Sequence, residues 1–189
     1  HDALPISASG LALTAGVTHE ALRSAISTFT PGRHRIEKVY ESDGVTWIDD
    51  SKATNPHAAS ASIMSALSVI WVAGGLAKGA EMGELIERVK ARVRVAILIG
   101  EDRALIADAL RERAPHIQVE LIDSPAGYSK GGVDNSLMER VIRTAQAKAV
   151  SGDTVLLAPA CASMDQFLSY SDRGERFKSA VEKVVRDGK

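Results

Sequence analysis

The spacing of apolar and polar residues changes repeatedly along the chain, and each change marks an element. Residues 8–15 are small and apolar, in helical spacing, and Gly16 stops them. Thr18 offers a cap for a second helix running to residue 29, with Leu22, Ile26 and Phe29 on one face. Thr30-Pro31-Gly32 breaks that helix and has the composition of a linker. Residues 35–40 then alternate polar with apolar, Ser42-Asp43-Gly44 has turn chemistry, and residues 45–48 complete a hairpin.

Beyond residue 50 the pattern becomes helix then strand, repeated. Asn55 caps and Pro56 fits the first position of a helix to about residue 66. A buried-type strand is expected at 68–73, further strands at 93–99, 117–122 and 154–158, and helices at 82–92, 104–113, 137–150 and 172–185, with a glycine-rich loop at 124–132. Near-continuous apolar strands alternating with helices predict an α/β chain with a Rossmann-like, doubly wound, mostly parallel sheet. The hairpin adds one antiparallel strand. Right-handed crossovers place the C-terminal ends of the parallel strands on one edge, where open sheets bind ligands.

Three polar loops follow three of these strands. The first is Asp49-Asp50-Ser51-Lys52-Ala53-Thr54-Asn55, the second Gly74-Gly75-Leu76-Ala77-Lys78-Gly79, and the third 159–167, Pro-Ala-Cys-Ala-Ser-Met-Asp-Gln-Phe. Together they predict one composite site. The glycines around Lys78 allow close approach to backbone N–H groups and the ammonium supplies a charge for an anion, although such a turn also serves merely to reverse the chain. Ser163 and the N–H groups of Ser163 and Met164 stand where a helix start would hold a carboxylate or simply be capped. Thr54 and Asn55 share that ambiguity. Arg35 is either a solvated strand residue or a fork for a phosphate, and Asp49-Asp50 suits a ribose, a metal or Lys52. Cys161, among small residues and with no histidine near it in sequence, is expected to be a buried structural thiol.

Composition narrows the classes. Of 189 residues, 45% are hydrophobic and 25% charged, as in a globular protein, and the net charge of −1 provides no electrostatic footprint for nucleic acid. Aromatic content of 4% argues against base-stacking platforms. No apolar run approaches the roughly 20 residues of a membrane helix, and the single cysteine excludes an intrachain disulfide and fits a reducing cytoplasm. No G-x-G-x-x-G follows the first parallel strand, which weakens an NAD-type oxidoreductase; a stand-alone nucleotide- or amino-acid-binding module is the other class to weigh.

His34-Arg35-Ile36-Glu37, Asp50-Ser51-Lys52-Ala53-Thr54-Asn55, Gly74-Gly75 with Lys78-Gly79, and Ala160-Cys161-Ala162-Ser163-Met164-Asp165-Gln166-Phe167 with Arg173-Gly174 occur in that order. Over about residues 8–187 the chain resembles the C-terminal part of the D-glutamate-adding branch of the Mur ligase family. Sister branches typically carry a histidine in the first loop. The resemblance implies a cytoplasmic, monomeric, three-domain enzyme of peptidoglycan synthesis that uses ATP and Mg²⁺ to activate the carboxylate of UDP-MurNAc-L-Ala and joins it to D-glutamate. It implies that Thr54, Lys78 and Ser163, with backbone groups of Met164 and Tyr170, hold D-glutamate. Arg35 then meets the ATP phosphates, Asp50 lies near the ribose, and Lys52 and Asn55 support the same loop. Catalytic metal ligands, the phosphate-binding loop and a carbamylated lysine would belong to a central domain, so this chain alone would position groups and not ligate.

The implied division is residues 34–189 as the C-terminal domain and 8–33 as the end of the central domain plus linker. Residues 1–7 stand apart. His1-Asp2-Ala3-Leu4-Pro5-Ile6 is one translation of a common sequencing adapter, so this segment is expected not to be native protein, and it covers the place where the family's adenine-contacting asparagine would fall.

Overall fold

The structure is a computed structural model that describes residues 3–130 and 134–188. The chain divides after Gly32 into two compact units. The first holds α1 (Ala3–Thr14) and α2 (His19–Thr28). Thr18 caps α2 as expected, its hydroxyl accepting from Ala21 N at 3.2 Å. Helix α1 starts earlier than its apolar pattern suggested, running through residues 3–7 as well. Ile26 in α2 is 56% exposed and the C-cap Phe29 75%.

The second unit is a six-stranded sheet in the order β1-β2-β6-β3-β4-β5. Strands β1 (Glu37–Ser42) and β2 (Val45–Asp49) form the antiparallel hairpin. Asp43 and Gly44 both take positive φ at its turn, as a right-twisted two-residue hairpin requires. Strands β3 (Val69–Gly74), β4 (Val93–Ile99), β5 (Gln118–Leu121) and β6 (Thr154–Leu157) are parallel to β2. The chain builds outward from β3 to β5, then returns β6 to the gap between β2 and β3.

Helices cover both faces. On one, α3 (Pro56–Met64), α4 (Gly83–Val89) and α5 (Arg103–Arg113) bury Ile63, Ile86 and Leu110 against Val69, Trp71 and Ala73. On the other, α6 (Ser136–Lys148) and α7 (Tyr170–Val181) bury Val141 and Phe177 against Ile70 and Val72. The whole of β3 is inaccessible and its residues alternate between the two cores, which is why its sequence is a continuous apolar run. A π-helical turn, Glu182–Arg186, continues α7.

Two local expectations need correction. No helix starts at Ser163: Phe167 N donates to Ser163 O at 2.9 Å, closing one turn that does not propagate, and α7 begins only at Tyr170. The helical pattern of residues 82–92 yields a seven-residue helix, because the strand β4 begins at Val93 and the connection must turn before it. Of the glycine-rich loop at 124–132, residues 131 and 132 lie outside the described residues.

Candidate functional site

The strand order puts the loops after β2, β6 and β3 side by side at the centre of the sheet edge. Backbone bonds join them. Ala160 N donates to Ala53 O at 2.9 Å, and Leu76 and Ala162 exchange reciprocal bonds of 2.9 Å in an isolated antiparallel bridge. Gly75 makes that bridge possible. Its φ is 131°, and a Cβ there would sit 2.0 Å from Ala162 O, so no other residue admits the two loops at this distance.

Beneath the loops lies Arg173, fully buried in the first turn of α7. Ser169 caps that turn by accepting from Asp172 N at 3.0 Å, which sets the helix start and with it the direction of Arg173. The guanidinium serves all three loops. Nε donates to Ser51 Oγ at 3.0 Å, Nη2 to Ser51 O at 3.0 Å and Cys161 O at 3.2 Å, and Nη1 to Cys161 O at 3.3 Å and Gly74 O at 3.4 Å. These carbonyls end strands or begin loops, where ladder partners run out. Burial lowers the Arg173 pKa to about 10, opposed by Asp165, Cys161 and Asp49, so it remains a cation at neutral pH.

A second buried contact fixes the first loop. Asp49 Oδ1 accepts from Ser51 N at 2.8 Å and Oδ2 meets His34 Nδ1 at 2.6 Å. Burial raises the Asp49 carboxyl pKa, opposed by the His34 contact and the Ser51 N–H. Gly174 leaves room for the pair: a Cβ there would lie 2.2 Å from His34 Nδ1. Asp49 thus turns to His34 and not to Lys52. Among the described residues His34, Glu37 and Asp49 are the one group able to hold a metal, with ligand atoms within 4.8 Å of one another. Those atoms already bond to each other or to backbone, Glu37 Oε2 accepting from His34 N at 2.9 Å.

The expected ligand-binding residues fall around this frame. Lys78 is exposed at the crest of the β3 loop with φ 52°, held by Ala77 N donating to Asp102 Oδ2 at 2.8 Å. Thr54 is half-buried and Ser163 buried. Among the described residues, the side chains of Thr54, Lys78 and Ser163 make no hydrogen bond or ion pair. Asn55 is a cap, its Oδ1 accepting from Ala58 N at 2.9 Å. Met164 is 49% exposed beside Ser163. Lys52 Nζ lies 3.7 Å above the Tyr170 ring, and Ser51 Oγ donates to Tyr170 O at 2.7 Å, so the start of α7 is tied to the first loop twice. The Tyr170 phenol pKa is lowered by the Ser171 hydroxyl and by Lys52. Arg35 is exposed next to buried Asp50, whose carboxyl pKa is raised by burial against the opposing pull of the Ser62 hydroxyl, the Ile36 N–H and Arg35. Cys161 is fully buried, and burial pushes its thiol up to about 12, in keeping with a structural role.

The structural roles of Ser51, Arg173, Asp102 and the His34–Asp49–Gly174 contact were not legible in the loops themselves. One signal for Arg173 was present: it falls on the apolar stripe of α7, in helical spacing with Phe177, Val181 and Val184. A charge on a buried stripe is informative.

Residues 34–161 match the family described as Mur ligase, glutamate ligase domain. The chain is 48% identical over 176 residues to UDP-N-acetylmuramoylalanine--D-glutamate ligase of Streptomyces avermitilis, covering 93% of this chain and 36% of that protein. It is 41% identical over 205 residues to the protein of the same name from Mycobacterium tuberculosis, covering 96% of this chain and 41% of that one. The chain therefore spans roughly two-fifths or less of these relatives' length. In fold it is similar to a pseudomurein peptide ligase type C from Methanothermus fervidus, with a TM-score of 0.61 at 16% identity over 95% of this chain and 35% of that one. It is similar as well to UDP-N-acetylmuramate-alanine ligase from Thermotoga maritima, with a TM-score of 0.60 at 13% identity over 98% of this chain and 37% of that one.

Proposed function

The chain belongs to the Mur ligase family through its glutamate ligase domain, and on that premise we propose that it is the D-glutamate-binding portion of a cytoplasmic, monomeric ligase of peptidoglycan synthesis. The complete enzyme joins D-glutamate to UDP-MurNAc-L-Ala. Its nucleotide, ATP with Mg²⁺, supplies the phosphoryl group that activates the acid as an acyl phosphate. The neutral amine of D-glutamate attacks the acyl carbon, phosphate departs with the bonding pair, and the new amide sheds the amine's proton.

The observation that carries this reading is the trio of Thr54, Lys78 and Ser163 side chains, without hydrogen-bond or ion-pair partners among the described residues, on loops that Arg173 and the Leu76–Ala162 bridge draw together. A dianionic amino acid calls for one cation and several N–H and O–H donors, and this rim offers them, with the Met164 and Tyr170 backbones adding to the set. These groups orient the amine and neutralise charge. Arg35 and Asp50 face the nucleotide, with Lys52 bracing the loop. Residues 8–33 are read as the end of the central domain, and residues 1–7 as non-native. The isolated chain is expected to be inactive.

In the complete enzyme, Lys78→Ala should raise the KM for D-glutamate by about tenfold or more, the loss of one charge-assisted contact, and leave the KM for ATP little changed. Steady-state kinetics with each substrate varied in turn checks this, and an unaltered D-glutamate KM would refute the assigned role.

A further inference from the structure

The loop after β5 is strapped across the turn that opens at Ser163. Tyr128 Oη donates to Gln166 O at 3.0 Å, Gln166 Nε2 donates to Ser124 Oγ at 2.8 Å, and Lys130 Nζ donates to Met164 O at 2.8 Å. Tyr128 also packs against the core on the α6–α7 face, which anchors the strap. The result is an exposed ammonium held against the backbone of residue 164, in the turn read above as carboxylate-binding.

Charge balance gives that ammonium a task. The attacking nitrogen must carry a free lone pair, so the reacting amino acid has a neutral amine and two carboxylates, a net charge of −2. Lys78 offsets one of these. Lys52 is engaged by the Tyr170 ring, Arg35 stands beside Asp50, and Arg173 lies buried with its donors committed to backbone carbonyls. Leaving the second carboxylate uncompensated in a partly dehydrated cleft would be costly.

We propose that Lys130 is the second counter-charge, a specificity-determining residue that favours an amino acid with two carboxylates over one with a single carboxylate. Its ammonium turns from the Met164 carbonyl toward the ligand's side-chain carboxylate. This rests on the reading of the Ser163 turn given above, and the test separates the two.

In the complete enzyme, Lys130→Met is compared with Lys130→Arg and Lys78→Ala, with D-glutamate as substrate and D-glutamine as competing ligand. Lys130→Met should raise the D-glutamate KM about tenfold, leave kcat and the ATP KM near their parent values, and leave the inhibition constant of D-glutamine unmoved; Lys130→Arg should retain most of the affinity. A D-glutamate KM unchanged by Lys130→Met, with Lys78→Ala impaired, overturns this inference alone. Equal weakening of D-glutamate and D-glutamine overturns it too, because the strap would then act only as scaffolding. If Lys78→Ala is also silent, the carboxylate site falls and this inference with it.

Discussion

Replacing Arg173 with methionine is expected to destabilise the 33–189 unit by about 3–5 kcal/mol, the range for removing one side of a buried charged contact. A buried ion pair can sometimes be exchanged for apolar residues without loss, because both partners are side chains. Here, beside the Ser51 hydroxyl, the acceptors are the carbonyls of Ser51, Gly74 and Cys161, and those carbonyls no substitution can delete. Each carbonyl would be left buried without its donor, at about 1–3 kcal/mol. For a unit of this size the loss corresponds to a fall in Tm of roughly 6–20 °C. Arg173→Lys keeps the charge but cannot span three carbonyls with one ammonium, so it should recover only part of the stability. Calorimetric or circular-dichroism melts of the three proteins check this. A methionine variant that melts with the parent would mean that the clamp contributes nothing. Even where such a variant folds, the rim loops lose their common anchor, and misplacement of an attacking group by an ångström is enough to depress turnover strongly.

Gly75→Ala is the second substitution expected to be severe. The added methyl would stand 2.0 Å from Ala162 O and 3.1 Å from the Ala162 carbonyl carbon. Those are backbone atoms that cannot swing aside, and the φ of 131° is itself strained for any side chain. Strain and overpacking together predict a cost of about 3 kcal/mol or more. Relief requires the β3 and β6 loops to separate, which breaks the Leu76–Ala162 bridge. Urea unfolding gives the free energy, and amide exchange at Leu76 and Ala162 reports the bridge. A midpoint near that of the parent, with both amides still protected, would show that the loops accommodate the methyl.

The architecture was readable because each strand and helix announces itself locally. The unbroken apolar run at 69–74 needs a sheet covered on both faces, Asn55-Pro56 starts a helix, and Asp43-Gly44 turns a hairpin. The alignment of polar loops on one edge followed from chain handedness alone. What escaped was non-local. Arg173 reaches residues 122 positions away in sequence, and nothing around Ser51 or Cys161 signals that their carbonyls need a donor. Ser163 looked like a helix start because hydroxyl, acid and amide residues follow in cap-like order. In the fold Asp165 turns aside, its Oδ2 accepting from Glu101 N at 2.8 Å, and the helix waits for Ser169. The His34–Asp49 contact depends on Gly174, a vacancy of side chain that sequence cannot place beside residue 34.

The lone thiol of the chain lies at the pivot of this arrangement. Cys161 gives its carbonyl to Arg173, while its sulfur is enclosed and held protonated well above neutral pH. Alkylating reagents need both access and thiolate, and the closed rim grants neither. Iodoacetamide labelling should therefore run only during the moments when the loops part and, on the function proposed, slow further as D-glutamate is added. A single native atom would then serve as a stopwatch for the breathing of the whole rim, with no probe to introduce.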